Sequence, residues 1–149
     1  MKKVVTILDN IRSRENVGSI FRTSDAVCVS KIYLCGITPT PPHHKISKTA
    51  LGAEEIVPWE YHKQTWRLLE KLKKEGYQIV GLEKTTVAEN LFDFQPRFPV
   101  ALVLGNEVGG LSPAVLKHCD KVVAIPQYGH KESLNVAVAF GVAVYTLIQ

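Results

Sequence analysis

The chain has 149 residues, with 18 Lys and Arg against 14 Asp and Glu, a formal net charge of +4 and 46% hydrophobic residues. This is the composition of one soluble globular domain that can bury an ordinary core without staples, and its mild basic excess permits an anionic partner without demanding one. Cys28, Cys35 and Cys119 are widely spaced, odd in number and form no Cys-x-x-Cys pair, which argues against a zinc or disulfide framework and for reduced thiols in the cytoplasm.

The N-terminal stretch "MKKVVTILDN" has too short an apolar run for a signal peptide. Within it, "KVVTIL" (3–8) reads as a first strand. A helical stripe of Val17, Ile20, Phe21, Ser24, Val27 and Cys28 follows over residues 17–28. The strand "KIYLCG" (31–36) leads to a Pro-rich loop, "TPTPPHHK" (38–45). Residues 62–76 place Trp66, Leu69 and Leu72 inward and a Glu70–Lys74 pair outward, with Gly76 as a C-terminal stop. Two more strands are "YQIVGL" (77–82) and "PVALVLG" (99–105). Ser112-Pro113 predicts the cap and first residue of a short helix through Lys117. The strand "KVVAIP" (121–126) precedes a final, almost wholly apolar helix, Leu134–Ile148. Its longest apolar run, Val136–Tyr145, is far shorter than the ~20 residues of a membrane span.

These strands are apolar on both faces, as in a covered parallel sheet, so the alternation predicts an α/β fold with helices on both sheet faces. Ligands of such sheets bind beyond the carboxyl ends of the strands. Three informative loops stand there. In "DNIRSRENVGSIFRTSDA" (9–26), Asn16 is a candidate helix cap, Gly18 permits close approach of another segment, and Arg22 is a cation set opposite the apolar stripe beside Ser19 and Ala26. In "LVLGNEVGGLSP" (102–113), Gly105 ends the strand, Gly109-Gly110 make a turn, and Glu107 is either solvated or an orienting partner for Arg22. No dinucleotide fingerprint or phosphate loop is present there. In "IPQYGHKESLNVAVAFG" (125–141), Ser133 is the candidate cap of the last helix and Asn135 falls in its first turn beside apolar neighbours, where a buried amide needs partners.

Taken together, "ENVGSIFRTSDA", "LVLGNEVGGLS" and "IPQYGHKESLNVAVAFG" resemble the three motifs of the SpoU/TrmH-type branch of the SPOUT RNA methyltransferases, and "KTALGAEE" (48–55) is similar to the family's segment after its second strand. The resemblance runs nearly the whole chain, in order. It implies a single SpoU-type methyltransferase domain at residues 1–149 without an appended RNA-binding domain. It implies a parallel-sheet SPOUT fold with a C-terminal trefoil knot, which general topology rules would not suggest. It further implies S-adenosylmethionine as methyl donor, a ribose 2′-hydroxyl of tRNA or rRNA as acceptor, no metal, and a homodimer. Carried over by position, the catalytic set is Asn16, Arg22, Glu107, Ser133 and Asn135. The cofactor set is Leu104, Gly105, Ile125, Gly129, Leu134 and Asn135. Without a basic extension, RNA selection falls to the surface of Arg12, Arg14, His43, His44, Lys45 and Lys48. RNA base methylation, or a non-catalytic RNA-binding module on the same fold, are the competing readings.

Independently of that resemblance, the final helix predicts a second subunit. It is apolar nearly all round, and Ala137, Ala139, Gly141 and Ala143 allow close helix approach.

Overall fold

The computed structural model describes residues 2–149. Strands β1 (Val4–Asp9), β2 (Lys31–Cys35), β3 (Trp59–His62), β4 (Gln78–Leu82), β5 (Glu89–Asn90), β6 (Val100–Leu104) and β7 (Lys121–Ala124) alternate with helices α1 (Arg14–Ala26), α2 (His44–Ala50), α3 (Thr65–Lys74), α4 (Pro113–His118) and α5 (Val136–Ile148). The strands form one seven-stranded sheet, ordered β3-β2-β1-β6-β4-β7-β5, in which every pairing is parallel.

Alternation along the central strands divides the core in two. Val4 and Leu8 of β1 join Val17, Ile20 and Phe21 of α1 and Phe140, Val144 and Leu147 of α5 on one face. Val5 and Ile7 join Leu68, Leu69 and Leu72 of α3 and Val115 of α4 on the other. Helices therefore cover both faces, as expected of strands that are apolar on both sides. Leu34, Leu8, Leu104 and Leu82 fall in register across β2, β1, β6 and β4, a continuous row near the carboxyl ends.

The five predicted strands and the caps at Ser112 and Gly76 are present: Ser112 accepts from the Val115 amide, and Gly76 has φ +95. Elsewhere the local chemistry differs from the sequence reading. Ser13, not Asn16, caps α1, its side chain accepting from the Asn16 amide, so Asn16 lies within the first turn. Val27 and Cys28 lie past the end of α1, and Cys28 is exposed at φ +58. Trp66 is only half-buried, because Thr65, Leu68, Leu69 and Leu72 form the inward stripe of α3. Glu70 faces His118 at 3.4 Å rather than Lys74.

Helix α2, β3 and β5 carry no strong period and were not legible as elements. Helix α2 crosses α1 closely at Gly18, where an added Cβ would stand 2.3 Å from the Ile46 carbonyl oxygen. The approach that Gly18 permits is therefore made by the chain's own second helix.

Asp9 ends β1 in the core, 3% exposed, and accepts a 2.6 Å hydrogen bond from the Thr65 hydroxyl. Burial raises its pKa, against the lowering effect of bonds from Thr65 and the Ser112 backbone. That carboxyl ties β1 to α3 on the face away from α1 and α5.

Candidate active site

Beyond the carboxyl end of β6 the chain makes a closed turn. The Asn106 and Gly110 backbones exchange hydrogen bonds of 3.2 and 2.9 Å, and the Asn106 side chain accepts from the amides of Val108 and Gly109, both at 2.9 Å. The same carboxamide donates to the Asn10 carbonyl at 2.8 Å, fastening the turn to the end of β1. Gly105 is obligatory in this packing: a Cβ there would lie 2.5 Å from the Gly110 carbonyl carbon and the Leu111 nitrogen. Gly110 has φ +68 and backs onto Glu83, whose carboxylate accepts from the Leu111 amide at 2.7 Å and the Lys84 amide at 3.1 Å.

Glu107, at the tip of the turn, does not pair with Arg22. Its carboxylate accepts from the Arg12 amide at 2.9 and 3.2 Å, the Ser13 amide at 2.9 Å and the Asn16 side-chain amide at 3.3 Å. Partial burial pushes its pKa up. Backbone donors at Arg12 and Ser13, its own amide and Asn16 outweigh that, leaving it below the ordinary value. The carboxylate thus serves as an anchor for the entrance to α1. Arg22 is exposed, and its side chain takes part in none of the hydrogen bonds or ion pairs among the described residues.

The third loop closes the group. Helix α5 begins at Val136, and Asn135, not Ser133, is its cap: the Asn135 side-chain oxygen accepts from the amides of Ala137 and Val138. Asn135 is exposed rather than buried. Its Nδ2 donates to the Asn16 side-chain oxygen at 3.1 Å. Glu107, Asn16 and Asn135 therefore form one hydrogen-bonded line that joins the three loops.

Between these loops lies a cleft of about 540 Å³, within the size range of small-molecule sites. Leu104, Gly105, Glu107, Ile125, Ser133 and Leu134 line it, together with Glu83 and Asn106. Gly129 lies instead in an adjoining shallow pocket with Pro126, Tyr128 and His130, and Asn16, Arg22 and Asn135 stand outside the cleft wall. Of the surface basic set, Arg12, Arg14, His44, Lys45 and Lys48 are exposed, whereas His43 caps α2, its Nδ1 accepting from the Lys45 amide at 3.1 Å. Glu83 and Asn106 were missed in the sequence. Glu83 sits immediately after β4, where the rule that sites gather at strand carboxyl ends applies equally.

The cleft suits S-adenosylmethionine in kind. It presents apolar walls from Leu82, Leu104, Ile125 and Val136, and carboxylates at Glu83, Glu107 and Glu132, beside a glycine-tight backbone. No group of three or more His, Cys, Asp or Glu side chains is placed to hold a metal ion among the described residues, and none of the described helices is long and apolar enough to cross a membrane.

A parallel α/β domain with such a cleft beyond its strand ends is the architecture of a small-molecule-dependent enzyme domain. Residues 3–145 match the model of the SpoU rRNA Methylase family, and the chain belongs to that family. It is 32% identical to the tRNA (guanosine(18)-2′-O)-methyltransferase of Aquifex aeolicus, over 97% of this chain and 68% of the relative. It is also 32% identical to the 23S rRNA (guanosine-2′-O-)-methyltransferase RlmB of Xanthomonas axonopodis pv. citri, over 99% of this chain and 59% of the relative. Among solved structures, an AdoMet-bound rRNA methyltransferase from Sinorhizobium meliloti superposes with a TM-score of 0.91 at 28% identity, over 97% of this chain and 55% of that one. The chain thus spans roughly three-fifths to two-thirds of the length of these curated relatives.

Proposed function

We propose that this domain transfers a methyl group from S-adenosylmethionine to a ribose 2′-hydroxyl of tRNA or rRNA. The observation that carries the reading is the cleft at the carboxyl ends of β4, β6 and β7, bounded by the three motif loops and joined to α1 by the Glu107–Asn16–Asn135 line. Family membership and the activities for which the two relatives are named support it. When bound, the cofactor supplies a sulfonium methyl. Leu104, Gly105, Ile125 and Leu134 hold it chiefly by shape and backbone, with Gly129 and Asn135 at the rim.

The chain's own contribution is positioning and charge. In-line displacement needs the donor methyl and the acceptor oxygen aligned, and a fixed cleft provides that alignment. A guanidinium offers donors and no proton acceptor, so Arg22 acts on the acceptor side by stabilising the developing alkoxide or drawing a phosphate to the hydroxyl as proton acceptor. Asn16 and Glu107 set the α1 entrance that presents the motif, and Ser133 and Asn135 fix the opposite wall. Arg12, Arg14, His43, Lys45 and Lys48 provide the RNA surface. Incubation of the protein with S-adenosylmethionine and RNA, followed by nuclease digestion and nucleoside mass spectrometry, tests the reading. A 2′-O-methylnucleoside is expected, and a base-methylated product or none overturns it.

Two further features accompany this reading. The chain after β7, which sits between β4 and β5, shares the cleft with the Gly105–Gly110 turn and reaches α1 at Asn135, and this proximity supports a reading with the family's C-terminal knot. A bulky domain fused at Gln149 is expected to slow refolding without changing equilibrium stability if the tail must thread. The other feature is a homodimer. Val138 and Tyr145 are 54% and 50% exposed along one side of α5, two turns apart and opposite the buried Phe140, Val144 and Leu147. A second copy covers that side, and a monomer by light scattering at micromolar concentration overturns the assignment.

A further inference from the structure

Helix α2 breaks the ordinary rules of helix design. Its cap is His43, although Ser, Thr, Asp and Asn cap far more commonly. Its first turn contains no acid and does contain Lys45, although the helix dipole disfavours a cation at that end. The two imidazoles stack on one another, with ring centroids 4.6 Å apart and planes inclined by 23°. His43 is fixed in this pose because its Nδ1 is committed to the Lys45 amide, which makes it the neutral tautomer with the proton on Nε2. Its pKa is lowered, first by desolvation and then by the positive charges of Arg14, His44 and Lys45, so Arg14 of α1 stands within electrostatic reach of the pair. Lys48 follows His44 by one helical turn and is likewise exposed.

Helix stability explains none of these choices, and they converge on one surface. That surface adjoins the candidate site. The first turn of α1 is bonded on one side to α2, the Thr49 hydroxyl donating to the Glu15 carbonyl at 2.9 Å, and on the other to Glu107. A flat imidazole stack edged by three long cations matches the chemistry of an unpaired nucleotide, in which the base stacks and the flanking phosphates meet the cations. Duplex RNA offers phosphates but no free base face.

We propose that the His43–His44 stack, edged by Arg14, Lys45 and Lys48, is a platform for an unstacked base of single-stranded RNA next to the nucleotide that is methylated. This rests on the RNA-methylating reading above and specifies the form of RNA it selects. The test uses the whole protein, with labelled single-stranded oligo(A) and a fully paired RNA duplex as probes in fluorescence anisotropy. His43→Asn preserves a side-chain cap and removes the ring, His44→Ala removes its partner, and His44→Tyr restores an aromatic face.

Loss of the stack is expected to weaken single-strand binding by about tenfold, in keeping with the usual contribution of one stacked base. Duplex binding is expected to be unchanged and His44→Tyr to bind like wild type. Equal losses on both probes, or failure of His44→Tyr to restore binding while His44→Lys does, would overturn the platform in favour of a phosphate-contacting patch. No loss in either His variant overturns it outright. Methyl transfer by the wild-type protein to total RNA is measured in parallel. Transfer without any loss of oligo(A) binding in the variants sinks the platform alone, whereas binding that follows the expected pattern without any transfer sinks the enzymatic reading alone.

Discussion

Asn135 donates a hydrogen bond to the side-chain oxygen of Asn16 across 119 residues of chain, at 3.1 Å. Asn16 in turn donates to Glu107 at 3.3 Å, so one carboxamide serves two loops with its two ends. Asn16→Asp keeps the acceptor for Asn135 but sets a carboxylate against Glu107, whereas Asn16→Ala removes both bonds. Either loss is worth about 1 kcal/mol, and the Asp variant adds like-charge repulsion. At neutral pH we expect the urea midpoint to fall in the order wild type, Ala, Asp. The Ala–Asp gap should close in acid as the carboxylates protonate. An Asp variant as stable as wild type at neutral pH means that the line contributes nothing.

Glu107 makes a pH-dependent contribution whose sign follows from its environment. Burial raises its pKa, but hydrogen bonds from Arg12, Ser13, its own amide and Asn16 leave the folded value below the ordinary 4.5. A carboxylate depressed in the folded state stabilises above its unfolded pKa, and that stability is lost as pH falls through the folded pKa. Wild-type protein should therefore lose stability on acidification below about pH 4.5 more steeply than Glu107→Gln. Above that range the Gln variant should be the weaker of the two, since a single amide oxygen cannot accept from all these donors at once. Parallel acid titrations of thermal midpoints check this, and identical slopes would remove Glu107 from the anchoring role.

Gly105 and Gly129 both stand in the motif loops, yet the structure separates them. A Cβ at Gly105 meets the backbone of Gly110 and Leu111 at 2.5 Å, and backbone cannot swing aside; a Cβ at Gly129 meets nothing within 4 Å. Gly105→Ala is expected to destabilise by about 1–3 kcal/mol, as overpacking does, and to abolish binding of S-adenosylmethionine by calorimetry. Gly129→Ala should leave fold and binding close to wild type. Weakened binding in the Gly129 variant alone would mean that the loop closes over the cofactor when it binds.

The parts of this fold that were legible in the sequence are those with a strong period or a distinctive turn residue. The five apolar strands, α1, α3 and the Ser112-Pro113 start of α4 all announce themselves in that way. Strand β3, Trp59–His62, is half exposed at the sheet edge, and β5 has two residues, so neither carries an alternating pattern long enough to detect. Helix α2 hides behind prolines and histidines because its cap is an uncommon one. The three loops meet beyond the strand ends, as their positions after strands imply, but their partnerships are not legible in the sequence. Nothing in spacing tells that Glu107 would choose backbone amides over Arg22, since tertiary approach of the turn after β6 to the α1 entrance decides it. Asn135 rather than Ser133 is the cap because the helix starts at Val136, two residues later than the Leu134 start that the sequence predicts.

Arg22 carries the sharpest consequence of that correction. Free of Glu107 and exposed on α1, it has no structural partner to lose among the described residues. Arg22→Ala should therefore fold with an unchanged thermal midpoint and bind S-adenosylmethionine as wild type does. If the guanidinium stabilises the developing alkoxide, methyl transfer should fall by about 10²–10³, the usual effect of removing one preorganised donor at an oxyanion. Arg22→Lys should not restore it, because an ammonium lacks the planar fork that engages phosphate and alkoxide together. Arg12→Ala and Arg14→Ala, on the neighbouring surface, should instead weaken RNA binding with a shallower salt dependence and a largely preserved maximal rate. Single-turnover transfer at saturating RNA separates the two behaviours. Near-wild-type turnover in Arg22→Ala would return that residue to the solvated surface of α1 and leave the acceptor proton to another group.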